Sequence, residues 1–198
     1  MCQKIKLIGI TGGIGSGKSY VCRLLETYGI PLFYTDDEAK RLIRTHAPLR
    51  RCLTDIVGPA LYDADGRLEK SVMAAYLCSG PEAAARVDAV VHPCVAEAFT
   101  RWAARQTAPL AVMECALLFE SGFNRLVHTT VMIDAPLETR ITRVMQRDRI
   151  TRAQALHWIA LQMPDNERRR RADHIILNDA LRRWSRKSAG YWNKFKFF

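Results

Sequence analysis

Eight consecutive residues carry the strongest chemical signal in the chain: Gly12-Gly13-Ile14-Gly15-Ser16-Gly17-Lys18-Ser19. Their spacing fits G-x-x-x-x-G-K-[ST], the loop that wraps the phosphates of a nucleoside triphosphate. Glycine tolerates positive φ, so successive N–H groups can turn inward around an anion. A helix beginning near Gly17 adds the positive end of its dipole. Lys18 brings a cation to the β- and γ-phosphates, and the Ser19 hydroxyl can ligate Mg²⁺.

Such a loop works only between a strand and a helix, and the flanking sequence supplies both. Lys4 to Ile10 is apolar and β-branched, and residues 19–29 carry Val21, Leu24, Leu25 and Tyr28 at helical spacing before Gly29. Ile30 to Tyr34 reads as a second strand, followed by Asp36 and Asp37, which suit a helix N-cap. Leu110–Met113, Thr129–Ile133 and His174–Leu177 are three more short apolar runs. Helices are expected around 136–147, 151–162 and 180–193. Strands alternating with helices imply an α/β fold with a parallel five-stranded sheet covered on both faces. Residues 38–107 contain no convincing parallel strand and read as helices, with Pro93 expected to kink or restart one of them. That stretch is too long for a simple crossover and is expected to form a helical second lobe.

Composition narrows the class. With 198 residues, 48% hydrophobic and 25% charged, the chain can bury a core and is neither fibrous nor disordered. No apolar run approaches the ~18 residues of a membrane span, and the N-terminus has no secretory pattern. The six cysteines lack metal or disulfide spacing and are expected to be reduced thiols in a cytoplasmic protein. The net charge of +10 is concentrated late: residues 138–198 hold 15 Lys and Arg against 6 Asp and Glu. A polyanionic partner suits that segment, either a phosphate-rich small molecule or a nucleic acid. No aromatic-rich RNA signature or DNA-reading motif is present, which disfavours nucleic acid. Arg168 to Arg171 read as a mostly solvated helix face.

A GTPase is a rival reading of the phosphate loop. Asp55-Ile56-Val57-Gly58 fits D-x-x-G but lies in the helical stretch, and Asn193-Lys194-Phe195-Lys196 lacks the terminal Asp of a guanine reader. A nucleoside or nucleotide kinase is the nearer alternative.

The loop, the strand ending Tyr34-Thr35-Asp36, Val91-His92-Pro93, Leu117-Leu118-Phe119-Glu120, Arg143-Val144-Met145-Gln146-Arg147-Asp148, Gln162 and Ala172-Asp173-His174-Ile175-Ile176-Leu177-Asn178 occur in that order. Together the set resembles the dephospho-coenzyme A kinases. The resemblance implies a P-loop kinase core over about 1–37, 108–137 and 172–198, a helical substrate lobe over about 38–107 and a helical lid over about 138–171. It implies ATP and Mg²⁺ as cosubstrate and metal, and phosphorylation of the ribose 3′-hydroxyl of dephospho-CoA, the last step of CoA synthesis. Tyr34 and Ala116 stand where the family often has an acid and a proline.

The resemblance gives roles to individual residues, each beside a plainer reading. Asp36 is a candidate to receive the hydroxyl proton or to hold metal-bound water; Asp also caps helices well. Glu114 is a candidate for organising Mg²⁺, or a solvated strand end. His92 and Glu120 are candidate substrate contacts, and His92 could instead be structural. Arg140, Arg143 and Arg147 share one helical face, with Arg149 and Arg152 just beyond. Such a face is usually solvated, but in a kinase lid it supplies cations to ATP, with Arg143 and Arg147 favoured. Asn178 is expected near the adenine, or as a cap.

Overall fold

The computed structural model describes residues 5–179. The expected helix at 180–193 and Lys4, the expected start of the first strand, lie outside the described residues.

The elements follow the order β1 (Lys6–Thr11), α1 (Lys18–Thr27), β2 (Leu32–Tyr34), α2 (Thr35–Thr45), α3 (Ala47–Val57), α4 (Lys70–Cys78) and α5 (Pro81–Ala103). They continue with β3 (Leu110–Glu114), β4 (Thr129–Asp134), α6 (Leu137–Asp148), α7 (Arg152–Ala160), α8 (Asp165–Arg171) and β5 (His174–Leu177). The five strands form one sheet in the order β2-β3-β1-β4-β5. β1 lies centrally, parallel to β3 and β4, and β4 is parallel to β5. Ile10 stands opposite Glu114 and Val131, which brings the C-terminal ends of β1, β3 and β4 level just before the glycine-rich loop. Ile8, Ile10, Val112, Met113, Val131, Met132 and Ile133 are all buried. Strands covered on both faces lose the apolar–polar alternation, which explains their continuous hydrophobic runs.

The chain divides into two compact units, residues 33–105 and the remainder. The 33–105 unit is built on α2 to α5. Leu42, Leu49, Leu53, Val87, Val91, Val95 and Phe99 are buried within it. Phe33, Phe99 and Trp102 pack their rings with centroids 5.3 to 5.9 Å apart. None of the described helices is long and apolar enough to cross a membrane.

Two local expectations are corrected. Helix α5 runs from Pro81 to Ala103 through Pro93 without a restart, so His92 is helical. Pro93 and Ala89 face outward, so the carbonyl that proline deprives of a donor can reach water, while Val87, Val91, Val95 and Phe99 hold the buried stripe. Helix α2 begins at Thr35, so Asp36 and Asp37 lie inside its first turn and neither caps it through its side chain. There they still favour the helix by facing its positive end. The arginine run is mostly solvated, as expected: Arg169, Arg170 and Arg171 are exposed, Arg169 pairing with Asp134 at 2.8 Å and Arg171 with Glu167, and only Arg168 of the four is buried.

Candidate active site

The glycine-rich loop leaves the end of β1 and enters α1 at Lys18. Gly17 is the N-cap, with φ 88° and ψ 20°. A side chain there would be strained and would also run into Asn178 Nδ2. The Gly13 carbonyl accepts from the Ser16 N–H at 3.0 Å, closing the turn. Ser16 Oγ is buried and makes no hydrogen bond. Ser19 lies exposed in the first turn of α1.

Lys18 is nearly buried and pairs with Glu114, the last residue of β3, which is also buried. Both ends of the pair are therefore fixed by regular structure, Glu114 by the sheet and Lys18 by the helix that follows the loop.

Side chains from the 137–179 region engage the loop backbone. Arg143 Nη1 donates to the carbonyls of Gly15 and Ser16, each at 3.2 Å, and its Nη2 donates to the Asn178 carbonyl at 3.2 Å. Asn178 Nδ2 donates to the Ser16 carbonyl at 2.8 Å. The structure thus brings the phosphate loop, Arg143 and Asn178 together. Arg147 is 62% exposed and pairs with Asp148 at 2.7 Å, and that bond raises the arginine's pKa and lowers the carboxyl's. Arg140, by contrast, is 1% exposed, so the three arginines of the expected face occupy three different environments.

Glu120 follows the buried Leu118 and Phe119 and lies 3.8 Å from Arg168 Nη2. Burial pushes the Arg168 guanidinium below its ordinary pKa, partly offset by Glu120 and Asp165. In the other unit, Asp36 is exposed near the start of α2, and Asp37 pairs with Lys40 at 3.3 Å. His92 stands one turn from Asp88 on α5, 3.6 Å away.

Sequence reasoning missed the surroundings of Ile14. Its N–H donates to Gln162 Oε1 at 2.7 Å and its carbonyl accepts from Arg140 Nε at 2.8 Å. Gln162 was legible only as part of a motif, and Arg140 only as one of several cations on a helix.

A parallel sheet with a G-x-x-x-x-G-K-S loop between β1 and α1 defines a P-loop kinase-like α/β protein, and solved kinases share the fold. The shikimate kinase from Acinetobacter baumannii matches with a TM-score of 0.57 at 17% identity, covering 99% of this chain and 97% of that one. The dephospho-CoA kinase family model matches residues 6–182, and the chain belongs to that family. The dephospho-CoA kinase of Bacteroides fragilis is 41% identical over 173 residues, covering 87% of this chain and 84% of that protein. The one from Salinibacter ruber is 39% identical over 190 residues, covering 93% and 96%. The crystal structure of TT1252 from Thermus thermophilus matches with a TM-score of 0.81 at 33% identity, covering 98% of each chain.

Proposed function

We propose that the chain transfers the γ-phosphoryl group of ATP to the ribose 3′-hydroxyl of dephospho-CoA, giving CoA and ADP. The family match over residues 6–182 carries this reading, because it spans the phosphate loop and both compact units.

The loop amides and the start of α1 bind the triphosphate. Lys18 neutralises charge that grows on the β–γ bridge during transfer. The hydroxyl oxygen forms its bond to the γ-phosphorus as the bond to the bridging oxygen breaks, and the electron pair leaves with ADP. The hydroxyl proton passes to the Asp36 carboxylate and then to water. In the proposed lid, residues 138–171, Arg143, which donates to two loop carbonyls, and the exposed Arg147 are the cations that serve ATP. Asn178 borders the adenine side of the nucleotide, and His92 and Glu120 contact the dephospho-CoA. The 38–107 region serves as the substrate lobe.

The oxygen donors of Ser19 and Glu114 fit Mg²⁺, which favours one or two protein oxygens together with substrate phosphates. When bound, Mg²⁺ would withdraw charge from the phosphate oxygens. For Glu114 to take that role, Lys18 must leave its carboxylate for the triphosphate.

Asp36→Asn tests the proton acceptor. A fall in kcat of roughly 10²–10⁴-fold is expected, with ATP affinity little changed, because the loop and Lys18 carry that affinity. Asp37→Asn should be mild. Two benign variants would remove both aspartates of this turn from the mechanism.

A further inference from the structure

Three consecutive carbonyls of the phosphate loop accept hydrogen bonds from side chains outside it. Ile14 accepts from Arg140, Gly15 from Arg143, and Ser16 from Arg143 and Asn178. The N–H of Ile14 is held as well, by Gln162. Both faces of one residue's peptide environment are therefore clamped by side chains that are 126 and 148 positions away in sequence.

Arg140 is itself fixed. Its Nη1 pairs with Asp165 Oδ2, and Asp165 Oδ1 accepts from Arg168 Nη1 at 3.0 Å. A buried arginine at each end and a carboxylate between them make a rigid strut from α8 through α6 to the loop. The strut also uses the missing side chain of Gly13: a Cβ there would collide with the Arg140 guanidinium. A P-loop binds phosphate with inward N–H groups, which requires its carbonyls to point outward. Unbraced, a glycine-rich loop has many conformations to lose when it closes on an anion, and that entropy is subtracted from affinity.

We propose that Arg140 and Gln162 are positioning residues that hold the phosphate loop in its anion-binding shape through the two peptide groups of Ile14, and that they thereby set ATP affinity without touching ATP. The inference rests on the loop being the triphosphate site. Its signature is a split: ATP binding weakens, while the second substrate and the chemistry at saturation are spared.

The test is calorimetric ATP binding to the whole chain, with steady-state kinetics and amide hydrogen exchange. Gln162→Leu keeps the volume and removes the acceptor. Arg140→Lys keeps the charge opposite Asp165 and loses the fixed fork. Each should raise the Kd and KM for ATP by about tenfold, the scale of one lost hydrogen bond in a partly buried site. The KM for dephospho-CoA and kcat at saturating ATP should stay within about threefold, the same order as wild type. Exchange at the Ile14 amide should speed up in Gln162→Leu. Wild-type ATP affinity in both variants overturns the brace and leaves the site reading intact. So does a loss of melting temperature with equal losses for both substrates, since that is a purely structural role. Absence of ATP binding by the wild-type chain overturns the site reading, and the brace with it.

Discussion

Lys18→Met separates two functions that one ammonium group performs. The side chains of Lys18 and Glu114 are 11% and 6% exposed, so they form a nearly dry pair. Methionine keeps the length of the stem and removes the charge, which strands a buried carboxylate. Removing one partner of a buried pair costs about 3–5 kcal/mol, and the residual exposure of Lys18 argues for the lower end, about 3 kcal/mol. In a chain of this length each kcal/mol shifts Tm by about 2–4 °C, so a loss of about 6–12 °C is expected. Turnover should fall on the order of 10²-fold or more, the usual effect of removing one transition-state stabiliser. The double variant Lys18→Met/Glu114→Gln should recover most of the lost Tm and none of the lost turnover. Thermal melts and kcat on the wild type, both single variants and the double variant supply the cycle. If Lys18→Met melts like wild type, the pair contributes nothing to folding. If the double variant regains turnover, Lys18 acts only by neutralising Glu114, and the electrostatic role proposed for it is wrong.

Two further outcomes follow from exposure and burial. Arg147→Ala should change stability by no more than ~0–1 kcal/mol, since the pair with Asp148 is exposed, while kcat or the KM for ATP worsens if the lid carries this arginine to the phosphates; unchanged kinetics would return it to the surface. Burial pushes the Cys22 thiol up to about 12, so alkylation at pH 8–9 should label the exposed Cys52 and Cys78 and spare Cys22. Because the folded state keeps this proton longer than the unfolded state, its stabilising contribution is full below about pH 9 and is lost as pH rises from there to about 12. Alkylation of native Cys22 at pH 8–9 as fast as of Cys52 would contradict its burial.

The parts of the molecule that were legible in sequence are those fixed by local pattern. The phosphate loop, the strand before it and the helix after it are contiguous in sequence, and each carries its own physical signature. The strand runs at 110–113 and 129–133 announced themselves because strands covered on both faces demand unbroken apolar residues, whereas 174–177, at the sheet edge, buries Ile176 and leaves Ile175 and Leu177 exposed. What was not legible depends on partners far along the chain. Arg168 sits in a run of four arginines, and nothing local distinguishes it from Arg170; its burial follows from Asp165 beside it and Glu120 from a distant loop. The charge surplus of residues 138–198 likewise overstated the cations open to a ligand, since Arg140, Arg147, Arg152, Arg168, Arg169 and Arg171 all have carboxylate partners within the chain. That α5 continues through Pro93 was not legible either, because local steric rules weigh the lost hydrogen bond but not the buried stripe that keeps α5 in register.

The central claim is the identity of the phosphoryl acceptor. The direct measurement is ATP-dependent ADP release with dephospho-CoA, nucleosides, nucleoside monophosphates and shikimate offered side by side, with the product located by mass and phosphorus NMR. The account predicts rapid ADP release with dephospho-CoA alone and one new phosphate monoester, at the ribose 3′ position. Turnover on a nucleoside, a nucleotide or shikimate with none on dephospho-CoA would contradict it, as would a phosphate placed at any other hydroxyl.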